Sequence, residues 1–187
     1  MNTDRQILEP QKAKMSRGFS LIELMIAMSV LAVGLLGGIA VLAVANANNG
    51  RSKLHSTAVT LAQSTMEKIV AIPQKAVGSA AQTKLTDCTG NTFTIETSVP
   101  AGGGPDLIDS GAFAGTIDFS KPPMDNYSMR YAMCSTAGNV GYDIRWRIEA
   151  GPTPSTQLVT VSAKPLVTAG AAQLTLPYTL RQLRGDF

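Results

Sequence analysis

The chain has 187 residues, with sixteen Lys and Arg against thirteen Asp and Glu, one His and two Cys. A net charge of +3 is too small to describe a nucleic-acid surface, and two cysteines with a single histidine supply too few donors for a clustered metal centre. The length suits one domain beside a long helix.

The first 18 residues are mixed but cationic. Arg5, Lys12, Lys14 and Arg17 outweigh Asp4 and Glu9, so this segment holds two of the three net positive charges. From Leu24 to Ala45 there is neither charge nor proline. That span matches the ~20 residues a helix needs to cross the hydrocarbon of a bilayer, and a helix satisfies its own backbone groups there. Cations at the near end keep the N-terminus cytoplasmic and send the rest of the chain across. Nothing after Ala45 is long and apolar enough for a second span.

Three processing schemes compete. Ala45-Asn46-Ala47 matches the small-x-small site of a cleaved secretory signal, but the apolar core of such signals is usually ~7–15 residues, shorter than this run. An uncut anchor is the second scheme. The third places a cut between Gly18 and Phe19, before the run, so that the helix stays on the mature chain. Glu23 separates them. An ionised side chain at the centre of a membrane helix costs roughly 2.5–3.5 kcal/mol. The cost is smaller near an end, yet a plain signal or anchor gains nothing from it. A cut after Gly18 creates a positive α-amine on Phe19, four positions before Glu23. The amine can pair with its own Glu23 or with that of a neighbouring copy, which makes the acid a register device between helices.

The stretch Arg17-Gly18-Phe19-Ser20-Leu21-Ile22-Glu23-Leu24-Met25-Ile26-Ala27 resembles the type III signal of type IV prepilins and pseudopilins. The resemblance implies that a prepilin peptidase cuts after Gly18 and methylates the new N-terminal Phe19, and that Glu23 aligns subunits in a filament. It implies as partners the prepilin peptidase, other major and minor pilins, the inner-membrane pilus assembly platform and, before assembly, membrane lipid. The implied location is a single pass in the inner membrane with the head outside the cytoplasm, then the pilus. The chain departs from many major pilins in lacking a proline about two-thirds along the apolar run. Gly34-Leu35-Leu36-Gly37-Gly38 stands there instead. These glycines are read as close-packing positions between membrane helices, with a soft point in the helix as the alternative.

Beyond the run, Leu54, Ala58, Leu61, Ala62, Met66, Ile69 and Val70 recur at three and four spacing, with Arg51, Lys53, Gln63, Glu67 and Lys68 on other faces. This predicts an amphipathic continuation of the helix, with Asn48-Asn49-Gly50 as a candidate break and Pro73 as its end. Residues 73–90 have no clear period and are expected to form a loop. Asn91 to Val99 alternates and predicts a strand. Pro100 to Pro105 is a turn, and 106–125 is irregular with Pro122-Pro123 as a breaker. Tyr127, Met129, Tyr131 and Met133 alternate, and Ala137-Gly138-Asn139 is a turn. Val140 to Glu149 is the clearest strand. Tyr142, Ile144, Trp146 and Ile148 point to one face, with Trp146 in the core, while Asp143, Arg145, Arg147 and Glu149 form a solvated face or else a contact with a neighbouring subunit. Leu158 to Ala163 is a further strand. Leu174, Leu176, Tyr178 and Leu180 form the last, with Pro177 demoting it to an edge.

Short turns between consecutive strands predict an antiparallel sheet, and the expected fold is α+β: a long N-terminal helical spine packed on that sheet. The domains are a leader (1–18), a spine (19–72, transmembrane over 19–45) and a globular head (73–187). Cys88 and Cys134 fall in the exported part, where an oxidising compartment allows a disulfide; two buried free thiols are the alternative. Tyr142-Asp143-Ile144-Arg145-Trp146-Arg147-Ile148 with Thr160-Val161-Ser162-Ala163 is similar to minor pilins described as pilus-modification proteins. The expectation is a minor type IV pilin, a structural subunit without cofactor or metal, with a pseudopilin of a type II secretion system as the alternative. A secreted enzyme or binding domain would need a catalytic constellation, and the residues supply none. Lone His55 reads as an exposed helix side chain, and Gly102-Gly103-Gly104 lacks the strand-then-helix setting of a phosphate loop.

Overall fold

A computed structural model describes residues 18–76, 78–100, 104–136, 138–166 and 176–185. The leader up to Arg17, Gly102 and Gly103 of the glycine run, Ala137 of the expected turn and Leu174 of the expected last strand lie outside the described residues.

The first element is α1, an α-helix over Leu21–Val70. Helical assignment is uninterrupted at Gly34, Gly37 and Gly38 and at Asn48-Asn49-Gly50, so neither candidate soft point breaks it. A glycine costs a helix only about 1 kcal/mol relative to alanine, and the flanking Ala and Leu residues are strong formers. The chain divides into two units at Ala47 and Asn48, and α1 contributes to both.

In the first unit every described side chain from Gly18 to Ala47 is exposed. Between Phe19 and Val44, sixteen of them are large apolar groups. At roughly 1.5–3 kcal/mol each, that surface is not left in water, and α1 is long and apolar enough to cross a membrane.

In the second unit the remainder of α1 packs on sheet. A short 3₁₀ turn, Gly78–Ala81, leads into β1 (Gln82–Thr86), which pairs antiparallel with β2 (Thr92–Glu96). A second antiparallel sheet has the order β3-β4-β5-β6, from β3 (Ser128–Ser135), β4 (Gly138–Ala150), β5 (Thr156–Leu166) and β6 (Tyr178–Gly185). Within each sheet, strands consecutive in sequence are antiparallel neighbours.

The core follows from two periodicities. Ala58, Leu61, Ala62, Met66 and Ile69 form one stripe of α1. Tyr142, Ile144, Trp146 and Ile148 of β4 and Val159, Val161 and Ala163 of β5 face it at period two, and all belong to one buried cluster. Trp146 is fully buried, and its indole N–H donates to Glu96 O at 2.8 Å, so its polar edge is satisfied. The α+β arrangement is therefore the expected one.

Several local expectations need correction. Residues 73–90 are not all loop, because the 3₁₀ turn and β1 lie within them. Leu85 is the sole apolar side chain of β1, so the strand has almost no hydrophobic alternation and is held by its pairing with β2. The turn expected at Ala137-Gly138-Asn139 sits earlier: Ser135 is already the partner of Gly138, and Asn139 pairs with Cys134. The last strand begins at Tyr178, immediately after Pro177, and runs on to Gly185. It is an edge strand as expected.

The charged face of β4 is the largest correction. Arg145 is buried, and Asp143, Arg147 and Glu149 are half-buried. The segment 104–121 lies over them. Arg145 Nη1 donates to Asp118 O at 3.3 Å and to Lys121 O at 2.8 Å, and its guanidinium lies 4.8 Å from the Phe119 ring centroid. Arg147 Nη1 donates to Pro105 O at 2.9 Å. Alternating charge reads as a solvated face, but here the arginines supply donors to the carbonyls of an irregular strap.

Candidate processing and assembly site

Gly18 and Phe19 precede α1, and the helix opens with Leu24 N–H donating to Ser20 O at 3.1 Å. Phe19 is 86% exposed. A Cβ added at Gly18 would meet nothing within 4 Å, and Gly18 is not among the glycines of positive φ. Neither packing nor backbone conformation demands glycine there.

Glu23 is exposed in the first turn of α1, where the positive end of the helix dipole favours an acid by roughly 0.3–1 kcal/mol. It is the sole charge between Phe19 and Asn49. The dipole offsets part of the cost of a carboxylate in apolar surroundings. The arrangement is therefore a long apolar contact surface with one acid near its start and an exposed Gly-Phe peptide bond just ahead of it.

Residues 13–39 match the family model of the prokaryotic N-terminal methylation motif. The chain carries a type IV prepilin signal. No curated protein and no solved structure matches the chain. The prepilin signal supports a type IV pilin-like or pseudopilin precursor, a reading that implies processing by prepilin peptidase and assembly with other pilins. Together with the apolar part of α1 it fits anchoring in a membrane before assembly.

Three groups help hold the second unit together. Cys88 and Cys134 are joined by a disulfide, with Cα atoms 5.8 Å apart. It links the β1–β2 turn to the end of β3. Next to it, Asp87 Oδ1 accepts from Thr89 N–H, the Thr89 hydroxyl and Asn91 N–H at 2.7–2.9 Å. Its Oδ2 accepts from Asn91 Nδ2 at 3.3 Å and Ala132 N–H at 3.4 Å. Burial disfavours the charged form of Asp87, but the donors of Thr89 and Asn91 outweigh it and hold the carboxyl below its ordinary range.

Arg184 is the third. It is 3% exposed and stands on β6 as the partner of Gln157. Nη1 donates to Ile69 O at 2.9 Å and Ile72 O at 3.3 Å, and Nη2 to Thr97 O at 2.8 Å and to Gln157 Oε1. The last carbonyls of a helix have no intrahelical partner, and a cation there also meets the negative end of the dipole. Arg184 therefore caps α1 from the far edge of the sheet. Sequence reasoning missed it, because the apolar alternation Tyr178-x-Leu180 is broken by Gln182 before it reaches Arg184.

His55 is exposed, and its ring meets Tyr178 edge-on with centroids 5.9 Å apart. Among the described residues no group of three or more His, Cys, Asp or Glu is placed to hold a metal ion.

Proposed function

We propose that the protein is a minor type IV pilin, a structural subunit and not a catalyst. Residues 1–18 are the leader, 19–72 the spine with 19–45 in the membrane, and 73–187 the head. The precursor is held in the inner membrane with its N-terminus cytoplasmic. Prepilin peptidase cuts between Gly18 and Phe19 and Phe19 is N-methylated. The helices then leave lipid for one another, and the Phe19 amine of one copy pairs with Glu23 of a neighbour. The observation that carries this reading is the lone acid of an exposed apolar helix, placed four residues after Phe19 within the prepilin signal.

The test is the intact mass and N-terminal sequence of the protein recovered from sheared pili. The expected start is N-methyl-Phe19. A start at Asn48, or an intact Met1, overturns the proposal. The same signal serves pseudopilins of type II secretion systems, so a deletion strain is the second arm: loss of surface pili supports the pilin, whereas blocked secretion with normal pili assigns the protein to the secretion system.

A further inference from the structure

Three side chains form a row on the sheet face that points away from α1. Arg147 of β4 is the partner of Thr160 on β5, and Thr160 is the partner of Arg181 on β6. Directly opposed residues on one face stand about 4.5–5.5 Å apart at Cβ. The strap 104–121 meets both ends of this row. At one end Arg147 Nη1 donates to Gly104 O at 3.3 Å and Pro105 O at 2.9 Å. At the other, Gly115 approaches Arg181 so closely that an added Cβ would collide with the guanidinium. Thr160, between them, is only 1% exposed although it lies on the outer face.

Among the described residues the Thr160 hydroxyl has no hydrogen-bond partner, and neither does Arg147 Nε. The rest of that guanidinium is engaged, with Nη2 paired to Glu149 Oε1 at 2.8 Å. Buried polar groups are nearly always satisfied, and two unmatched ones at adjacent register positions call for a shared partner. That partner must accept from Arg147 N–H and exchange a hydrogen bond with the threonine hydroxyl, within the span of neighbouring side chains. A single water does both, and two to four polar contacts are what an internal water makes. An anion is the poorer match, because Glu149 already neutralises Arg147. A cavity lined by Asp106, Asp118 and Lys121 reaches Arg147 from the solvent side.

We propose that an ordered internal water bridges Arg147 Nε and Thr160 Oγ1 and ties the strap to the sheet. The test is a crystal structure of the mature full-length chain in detergent, grown from bromide salt. Ordered density within hydrogen-bond distance of both atoms, without bromide anomalous signal, is the expected result. A bromide peak, a direct bond between the two side chains, or featureless density overturns it. A second measurement compares Thr160→Val with Thr160→Ser in the same protein. Thr160→Val loses one of the water's contacts and should lower the melting temperature by roughly 2–4 °C, while Thr160→Ser stays near wild type. A Thr160→Val protein that melts at or above the wild-type temperature overturns the proposal.

Discussion

Glu23 and Arg184 both carry charge into surroundings that disfavour it. For Glu23 the proposed partner is the new Phe19 amine of a neighbouring subunit. Glu23→Ala should leave the proposed cleavage after Gly18 intact, since that bond lies ahead of the helix, and should reduce incorporation into pili. A lost charge pair worth ~1.4 kcal/mol corresponds to about tenfold, read by immunoblot of sheared filaments against membranes. Normal incorporation of this variant would remove the register role. For Arg184 the partners are carbonyls and an amide oxygen within the second unit. Arg184→Met should fold but lose about 2–4 kcal/mol in denaturant unfolding, because each buried acceptor left unsatisfied costs about 1–3 kcal/mol. An unchanged unfolding midpoint would show that solvent replaces the guanidinium without penalty.

Among the elements, the hairpin of β1 and β2 depends most on covalent and polar anchoring. Its turn is held by the Asp87 acceptors and by the disulfide to Cys134, across a sequence separation of 46. Closing a loop of this size stabilises by typically 2–4 kcal/mol. The double substitution Cys88→Ser, Cys134→Ser should lose about that amount and should raise amide exchange first in residues 82–96, with β4 and β5 protected. Uniform loss of protection across both sheets would contradict this view of the hairpin as a separately anchored element. These elements were unequally legible. The long strand β4 declares itself through Tyr142, Ile144, Trp146 and Ile148, because an alternation pointed into one core is written in the chain. In β1 the alternation has a single apolar member, Leu85, so the strand is set by its pairing with β2 and not by a pattern of its own. The strap 104–121 has no period at all. It is placed by Arg145 and Arg147, whose charged alternation looks the same whether water or backbone carbonyls receive the donors.

For the whole molecule, the division at Ala47 and Asn48 makes a direct prediction. The buried cluster begins at Ala58, and every described side chain before Asn48 is exposed. A fragment of residues 48–187 should therefore fold without the apolar segment, be recovered without detergent, and unfold cooperatively. Trp146 should keep the blue-shifted emission of a buried indole until the transition. Emission already at the wavelength of a hydrated indole in the native fragment would show that the core needs the first part of the chain.

The sequence by itself determined the prepilin signal. The Gly18-Phe19 pair, Glu23 and the charge-free run to Ala45 are matters of composition and spacing, and these are properties of a linear string. It also determined the core faces of α1 and β4, through the 3.6 and 2 periodicities of their apolar residues. Only the tertiary structure decided that Cys88 meets Cys134, that Arg184 caps the helix ending at Val70, and that a strap covers Arg145, Arg147 and Thr160. Each of those depends on which distant backbone a side chain reaches after folding, and hydrogen-bond donors carry no mark in the sequence of the acceptor they will find.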